Sequence, residues 1–268
     1  MQRTIFITGA SAGLGKATAK LFQSKGWNVI ATMRKPEEEK ELTKLENVTV
    51  IKLDVTNPTQ IEESLKKIID EHSIDVVLNN AGYGLLGPLE ALSDEQIMRQ
   101  LDTNLLGVIR ITKAFTPYFR EKKKGMFLNV TSLIGLIGYP TCSVYSATKF
   151  AIDGFSESLS YDLAHFGISV KIIAPGGIQT DFAGRSLDGG MHEAYQELAN
   201  KVSEAYSANL VSQFSTAEHI ASTIYEAATD HKDQLRYITG ADAISTYGER
   251  QKMGAEAHYK KMKEVFTY

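Results

Sequence analysis

The chain has 268 residues, 43% of them hydrophobic and 23% charged, and its formal net charge at pH 7 is −3. This composition is typical of a globular protein and excludes the strongly basic surface on which nucleic-acid binding depends. With Cys142 as the single cysteine and six scattered histidines, we expect neither an intramolecular disulfide nor a metal site. No apolar stretch approaches the roughly 20 residues of a membrane span, and no signal segment is visible, so we expect a cytoplasmic protein without a membrane partner.

Short apolar runs alternate with longer segments of helical period along the chain. The runs predict strands at Thr4–Thr8, Asn28–Thr32, Val48–Leu53, Val76–Asn79, Gly125–Asn129, Val170–Ala174 and Leu235–Thr239. Helices are predicted at Gly13–Lys25, from Asn57 onwards, at Leu101–Arg120 and at Tyr145–Phe166, and Ser245–Tyr268 is predicted to be a surface helix. This alternation predicts a single α/β domain over residues 1–268, a Rossmann-like doubly wound parallel sheet with helices on both faces.

A glycine-rich turn follows the first predicted strand and opens the first helix, with Gly9, Gly13 and Gly15 in the pattern TGxxxGxG. Glycines at such a turn let the backbone approach a pyrophosphate, which the helix N-terminus attracts. A nucleotide-hydrolase P-loop is excluded because Ala10 and Ala17 stand where that motif needs Gly and Ser or Thr. An ordinary glycine turn is the alternative.

Tyr145 and Lys149 are four residues apart, which places both side chains on one face of the predicted helix. A phenol has a pKa of about 10, and a neighbouring ammonium group favours its ionised form. The pair is therefore a candidate for general acid–base catalysis, because a catalytic pKa works best near the operating pH. Taken alone, Tyr-x-x-x-Lys is a weak signal, because such a pair is more often a solvated helix face.

Further motifs follow the glycine turn in a fixed order. They are Asp54-Val55 after the third strand, Asn80-Ala81-Gly82 after the fourth, Asn104 in the next helix, Ser132 thirteen positions before Tyr145, and Pro175-Gly176-Gly177-Ile178-Gln179-Thr180 after the sixth strand. In this order and spacing the sequence resembles the short-chain dehydrogenase/reductase family, in its simple-reductase branch. The resemblance extends from about Thr4 to Thr180.

The resemblance implies a catalytic set of Asn104, Ser132, Tyr145 and Lys149. Tyr145 would exchange a proton with the substrate oxygen, and Ser132 would hydrogen-bond the same oxygen. Lys149 would hold the nicotinamide ribose and lower the pKa of Tyr145, while Asn104 would hold a water of the proton relay. The implied cofactor-binding residues are Gly9, Ser11, Gly13, Leu14, Gly15, Arg34, Asp54, Val55, Asn80, Ala81, Gly82, Tyr145, Lys149, Pro175, Gly176, Ile178 and Thr180.

The end of the second strand predicts a preference for NADP over NAD. NAD-binding relatives place an acidic residue there for the ribose 2′-hydroxyl, and Met33 occupies that place here. Arg34 follows, and a guanidinium group suits a 2′-phosphate, to which Ser11 could also donate. The alternative is that Arg34 and Lys35 are simply a polar strand exit.

The substrate side is predicted to be apolar, from Leu85, Leu86 and the segment Ile134–Pro140. An insert at 181–215 mixes glycines, including Asp188-Gly189-Gly190, with a helix-prone stretch. We expect it to be a glycine-hinged lid over the substrate, with a permanently packed helix as the alternative. Members of the family that the sequence resembles commonly pair through their two long central helices, so the resemblance implies a homodimer or homotetramer.

The expected function is therefore an enzyme that transfers a hydride between NADP(H) and the carbonyl or secondary alcohol of a hydrophobic small molecule. One alternative is a non-catalytic NADP-sensing regulator on the same fold, which would typically lack the tyrosine or the lysine. Another is an epimerase or dehydratase of the extended branch, which has a different glycine spacing and a larger substrate domain.

Overall fold

The computed structural model describes residues 2–179, 187–205 and 214–267. Its strands are β1 Thr4–Thr8, β2 Asn28–Met33, β3 Val48–Lys52, β4 Val76–Asn79, β5 Gly84–Leu86, β6 Gly125–Val130, β7 Ile168–Pro175, β8 Ile178–Gln179, β9 Leu187–Gly189, β10 Ser215–Thr216 and β11 Arg236–Thr239. Seven of them form one parallel sheet in the order β3-β2-β1-β4-β6-β7-β11. The predicted doubly wound parallel sheet is confirmed.

The helices are α1 Gly13–Ser24, α2 Pro58–Glu71, α3 Asp94–Leu101, α4 Gly107–Lys122, α5 Ser143–Ala164, α6 Gln196–Ala205, α7 Ala217–Thr229, α8 Ala241–Met253 and α9 Ala255–Phe266. Helices α1 and α7 pack on one face of the sheet, where the core includes Phe22 and Ile224. Helices α2, α4 and α5 cover the other face, where Phe6, Phe115 and Phe127 lie fully buried. Because both faces are covered, the strands are continuous apolar runs rather than alternating ones.

The segment predicted as one helix over Leu101–Arg120 is divided into three parts. Helix α3 begins at Asp94, capped by the Ser93 side chain and by a reciprocal contact from Gln96. A π-helical stretch, Asp102–Leu106, then joins α3 to α4. Such stretches widen a helix by one residue per turn and re-aim the side chains on it, and Asn104 lies within this one.

A chain of buried polar side chains runs from α4 to α5 along the face of the sheet that both helices cover. The Asn79 amide on β4 donates to Thr112 Oγ1 at 3.0 Å and to Asn129 Oδ1 on β6 at 2.8 Å. The Asn129 amide donates in turn to Ser156 Oγ on α5 at 2.8 Å, and that hydroxyl donates to the Ile152 carbonyl at 2.7 Å. We name these residues the amide chain. Buried polar groups need such partners, so each link restrains the element that carries it.

Candidate active site

The candidate site lies at the carboxyl edge of the parallel sheet. Each of the predicted site segments lies at or just after the last residue of a strand. They are the glycine turn (residues 8–15), Arg34, Asp54, the Asn80–Gly82 segment, Ser132 and the β7–β8 turn (Gly176 and Gly177). The strand order reverses beside β1, because β2 lies on one side of it and β4 on the other. Parallel sheets bind ligands in the crevice at such a reversal, so these residues are brought to one place.

The glycine turn leaves no room for a side chain. Gly9 has a φ of +69°, and a Cβ added there would lie 2.8 Å from the Ala81 Cα. A Cβ on Gly15 would lie 2.3 Å from the Gly9 carbonyl oxygen. The Asn80 side chain braces the turn by donating to the carbonyls of Thr8 and Gly9, both at 3.0 Å. The predicted residues Asn80 and Ala81 therefore act on the turn itself.

The N-terminus of α1 is open to an anion. Its N-cap residue, Ala12, offers no side-chain acceptor, and the first turn contains no acidic residue. By contrast, α2, α3 and α7 are capped by the side chains of Asn57, Ser93 and Thr216. The first amide groups of a helix need a partner, and a pyrophosphate is a suitable one. The turn and the helix end therefore fit the phosphates of a dinucleotide.

Two predicted cofactor residues lie on the surface near this turn. Arg34 and Ser11 are both exposed. Lys35 pairs with Glu38 at 2.8 Å, whereas Arg34 makes no ion pair within the part of the chain that the structure describes. Its guanidinium group is thus available for a ligand phosphate.

Asp54 and Val55, which follow β3, are held in place locally. Asp54 Oδ1 accepts hydrogen bonds from the Thr56 amide at 2.9 Å and from the Thr56 hydroxyl at 2.8 Å. Val55 is buried, and it lies so close to Gly107 that a Cβ there would be 2.8 Å from Val55 Cγ2. The positions of Asp54 and Val55 at this edge of the sheet are therefore fixed by local contacts.

Ser132, Tyr145 and Lys149 are brought together, as the sequence predicts. Ser132 lies near enough to Tyr145 to oppose the rise in the pKa of its phenol, and Lys149 Nζ lies 5.7 Å from the centre of the Tyr145 ring. Lys149 is buried and donates to the Val130 carbonyl at the end of β6, at 2.9 Å. Gly135 allows the Ser132 loop to pack on α5, because a Cβ there would lie 3.0 Å from the Lys149 backbone.

Burial dominates the titration of this cluster. It raises the pKa of Tyr145 to about 12, against the opposing effect of the Ser132 hydroxyl, and it lowers the pKa of Lys149 to about 8. The sequence predicts instead that Lys149 lowers the pKa of Tyr145. The difference arises because the ammonium group is directed to the Val130 carbonyl and both groups are desolvated. Near neutral pH Tyr145 is a phenol and Lys149 is charged, which suits proton donation.

Asn104 is fully buried and holds the backbone that follows Gly82. Its Oδ1 accepts from the Tyr83 amide at 3.0 Å, and its Nδ2 donates to the Tyr83 carbonyl at 2.8 Å. Gln100 Nε2 donates to the same carbonyl at 3.0 Å. The π-helical stretch that carries Asn104 packs beside α5. Sequence reasoning missed Tyr83 and Gln100, because a backbone contact imposes no residue type at position 83.

The segment after β7 continues the same edge of the sheet. Pro175 ends β7 and is paired with Thr239 on β11, and Ile178 begins β8. Gly176 lies between them, so the predicted residues Pro175, Gly176 and Ile178 are placed together. Thr180, also predicted to bind the cofactor, lies outside the described residues.

The insert predicted to be a lid is described only over 187–205 and from residue 214 onwards. Its Asp188-Gly189-Gly190 is not a free hinge, because β9 pairs with β5. Gln96 Nε2 donates to Asp188 Oδ1 at 2.8 Å, and Arg99 forms an ion pair with the same carboxylate. We name β5, Leu187–Gly190, Gln96 and Arg99 the clasp. The glycines are needed here for close packing, since a Cβ on Gly190 would lie 2.0 Å from the Ala91 carbonyl oxygen.

An open groove runs along the clasp, lined by Leu86, Leu187–Gly190 and Met191. Met191 is 64% exposed, whereas Leu85 and Ile137, also predicted to face the substrate, are buried in the core. Cys142, at the start of α5, is buried as well, and burial raises the pKa of its thiol to about 11, so it is a neutral packing residue.

The last segment is two helices, α8 and α9, rather than the single surface helix predicted over Ser245–Tyr268. Phe266 is buried and contacts the Tyr139 ring edge-on, with 5.2 Å between ring centres. Helix α9 also packs beside α6 of the insert. The end of α9 at Phe266 therefore borders the side of the site where Tyr139 lies.

No helix in the described ranges is both long and apolar enough to cross a membrane. Across the same ranges, no three side chains of His, Cys, Asp or Glu come together in a way that could hold a metal ion.

The chain is similar in sequence to known oxidoreductases. An uncharacterised oxidoreductase of Schizosaccharomyces pombe is 40% identical over 225 residues, covering 82% of this chain and 94% of the relative. A 3-ketodihydrosphingosine reductase of Bacteroides thetaiotaomicron is 39% identical over 179 residues, covering 66% of this chain and 65% of that protein.

Solved structures are similar over the whole fold. A short-chain dehydrogenase of Streptomyces avermitilis has a TM-score of 0.84 at 29% identity and covers 100% of both chains. The closed form of a serine dehydrogenase complexed with NADP+ has a TM-score of 0.75 at 30% identity, covering 87% of this chain and 94% of that one. The family model for short chain dehydrogenases matches residues 3–191, which include the glycine turn and α5. The chain therefore belongs to the short-chain dehydrogenase family of oxidoreductases.

Proposed function

We propose that this protein is an NADP-dependent oxidoreductase that interconverts a carbonyl group and a secondary alcohol on a hydrophobic small molecule. The observation that carries the proposal is the cluster of Ser132, Tyr145 and Lys149 at the carboxyl edge of the sheet, beside the glycine turn. The bound nicotinamide would supply or accept the hydride. The chain's own residues bind, orient and move a proton.

Tyr145 is the proton donor in the direction of reduction. Burial holds its pKa at about 12, so the phenol keeps its proton until negative charge develops on the substrate oxygen. Ser132 lies near Tyr145 and can donate to that same oxygen, which stabilises the developing charge. The Lys149 ammonium group would hold the ribose hydroxyls, and its positive charge then stabilises the phenolate that Tyr145 becomes.

NADP is favoured by the free cation at the end of β2. Arg34 is exposed and unpaired among the described residues, while Lys35 beside it is taken by Glu38. A similar protein, the serine dehydrogenase named above, is complexed with NADP+. Arg34 would pair with the 2′-phosphate, and Ser11 in the glycine turn would donate to it.

An apolar substrate is favoured by the groove along the clasp, where Leu86, Leu187 and Met191 lie. Known relatives differ in what their names state: one is a 3-ketodihydrosphingosine reductase and another a serine dehydrogenase. The groove suits a substrate such as that of the 3-ketodihydrosphingosine reductase better than a small polar one. Apolar side chains accept a hydrocarbon, but they offer a small polar molecule no hydrogen-bond partners.

A direct test is NADPH oxidation, followed at its ultraviolet absorbance, with a panel of long-chain and aromatic ketones and aldehydes and of small polar ones. Turnover with the apolar members and not the polar ones is expected. Binding of NADPH without turnover of any carbonyl or alcohol would instead favour the non-catalytic alternative.

Cofactor choice has its own test in Arg34→Ala, with Lys35→Ala as the matched control. A charge-assisted contact contributes about 1.5–3 kcal/mol, so Arg34→Ala should weaken NADPH about ten- to a hundredfold and leave NADH affinity unchanged. Lys35→Ala should change neither, because Lys35 already has a partner in Glu38. Equal wild-type affinities for NADPH and NADH would contradict the preference.

A further inference from the structure

The β7–β8 turn is held by residues that follow it in the chain. The Gly176 amide donates to the Thr239 carbonyl at 3.0 Å, and the Gly177 amide donates to Asp242 Oδ2 at 2.7 Å. The Gly177 carbonyl accepts from the Ser215 amide at 3.1 Å. Both backbone groups of Gly177 are therefore occupied, by Asp242 and by Ser215.

Asp242 occupies a space made by the absence of side chains. A Cβ on Gly176 would lie 2.2 Å from the Asp242 carboxylate oxygens, and one on Gly240 would lie 2.8 Å from Oδ1. Asp242 Oδ1 is buried and has no hydrogen-bond partner within the described ranges. The carboxylate is thus enclosed by the turn and by Gly240, rather than directed to solvent.

A carboxylate suits this position for two reasons. A hydrogen bond to an ionised acceptor is shorter and stronger than one to a neutral acceptor, and the contact to Gly177 is 2.7 Å. Asp242 also lies in the first turn of α8, where the helix dipole stabilises negative charge. The helix dipole alone would not explain the contact between Asp242 and the turn, because an exposed acidic residue at the start of a helix interacts with the dipole equally well.

Helix α9 provides the comparison that separates these two effects. It begins with the same pattern as α8: Gly254, Ala255 and Glu256 correspond to Gly240, Ala241 and Asp242, and both glycines have positive φ, +86° and +98°. Glu256 is nevertheless exposed, and within the described ranges no hydrogen bond or ion pair joins it to the β7–β8 turn. The enclosed carboxylate of Asp242 is therefore specific to the helix that starts beside the site.

We propose that Asp242 is a positioning residue for the nicotinamide end of the cofactor. The inference rests on the proposed function and on the cofactor-binding roles that the family resemblance implies for Gly176 and Ile178, which we assign to the nicotinamide end. Asp242 fixes the Gly177 amide, and so sets the direction in which these neighbours present their own backbone groups. It touches neither substrate nor cofactor, and it acts through the turn alone.

The test compares two ligands and three variants of the full chain. Dissociation constants are measured for NADPH and for adenosine 2′,5′-bisphosphate, which carries the 2′-phosphate but no nicotinamide. The variants are Asp242→Ala, the conservative Asp242→Asn, which keeps an acceptor oxygen, and the matched control Glu256→Ala. Single-turnover hydride transfer is followed for each.

Asp242→Ala should weaken NADPH about tenfold and slow hydride transfer, while the bisphosphate binds as it does to the wild type. Asp242→Asn should restore most of both losses, and Glu256→Ala should show neither. Asp242→Ala with unchanged NADPH affinity and hydride transfer would overturn the proposal. Equal weakening of both ligands, or an Asn variant as defective as the Ala variant, would overturn it as well.

The proposed function and this inference fail in different ways. If the wild type bound neither NADPH nor the bisphosphate, the proposed function itself would be wrong. If the wild type bound both and turned over substrate while Asp242→Ala matched it, only the role of Asp242 would be lost.

Discussion

The glycine turn and the clasp use glycine for the same steric reason but are held by different forces. Around the turn, buried or partly buried backbone groups meet one another and the Asn80 side chain, with ligand-facing amides left over at the start of α1. At the clasp, the pairing of β9 with β5 is supplemented by an exposed ion pair between Arg99 and Asp188, and the neighbouring side chain of Met191 remains exposed. In the glycine turn, steric crowding prevents substitution. At the clasp, the side-chain contacts are exposed, so each contributes little to stability.

Under the proposed function, this difference suits two separate tasks, binding of the cofactor at the glycine turn and binding of the substrate beside the clasp. A site for one constant ligand, such as a dinucleotide, benefits from a backbone that cannot be altered without collision. A site that must admit a hydrocarbon benefits from exposed apolar surface and weak fastenings. Changes near the turn should therefore abolish function, and changes at the clasp should only adjust it. Whether the insert moves as a lid remains a prediction.

The largest effect is expected at Tyr145, between the two regions. Tyr145→Phe should lower kcat by about 10²–10⁴-fold, because the transferable proton is lost, while NADPH affinity stays nearly unchanged. Tyr161→Phe is the matched control, since Tyr161 lies on the same helix and is 67% exposed. Steady-state rates and NADPH titrations check both. A Tyr145→Phe variant with wild-type kcat would make the proposed mechanism wrong.

The crowding of the glycine turn is tested by a pair of helical glycines. Gly15→Ala places a methyl group 2.3 Å from the Gly9 carbonyl oxygen, and overpacking of this kind costs about 1–3 kcal/mol or more. Gly154→Ala in α5 meets open space and should stabilise the protein by about 0.5–1 kcal/mol, because alanine favours helix. Urea unfolding measures both, and only Gly15→Ala should lose NADPH binding. A neutral Gly15→Ala would remove the steric account.

The pH dependence of NADPH use should report Lys149. A lysine is charged below its pKa, so with a pKa of about 8 its ammonium group loses its proton as pH rises through that value. Because Tyr145 keeps its proton to about pH 12, it contributes nothing to this limb. In the reductive direction, kcat/KM for NADPH should therefore be flat below pH 8 and fall above it by about tenfold per unit. A profile that stayed flat to pH 10 would exclude Lys149 as the ribose-holding group.

The smallest effect is expected at the clasp. Arg99→Ala removes an exposed ion pair to Asp188, and such pairs contribute about 0–1 kcal/mol. The KM for the carbonyl substrate should rise by at most about fivefold, with NADPH affinity unchanged. Lys261→Ala, which breaks the exposed pair with Glu249 on α8, is the control and should change neither value. A loss of NADPH binding in Arg99→Ala would mean that the two regions are coupled.

Much of the fold follows from the sequence because strands covered on both faces are continuous apolar runs bounded by glycines and polar residues. The candidate catalytic cluster was equally accessible from the sequence, since Ser132, Tyr145 and Lys149 are defined by their spacing along the chain. The π-helical stretch was not, because its five residues make little more than one turn, too few to distinguish its period from that of an α-helix.

Two other features were inaccessible because they depend on contacts between distant segments. The clasp joins β5 to β9, strands of three residues each, too short to give a periodic signal. Asp242 looks like any acidic residue in a first helical turn, and nothing local distinguishes it from Glu256. Only the fold shows that one of the two lies against a turn formed 65 residues earlier.

The amide chain has a consequence for how the protein chooses its native arrangement. Tyr145, Lys149, Ile152 and Ser156 form one stripe along α5, with the chemistry at its start and the amide chain at its end. If α5 rotated by one residue, or β4 and β6 slipped against each other, buried amides would lose their partners in a medium without water. Apolar packing tolerates such a rotation or register shift far better than hydrogen-bonded amides do. The amide chain thus favours a single orientation of α5, and this orientation fixes the position of Tyr145, about three helical turns from Ser156.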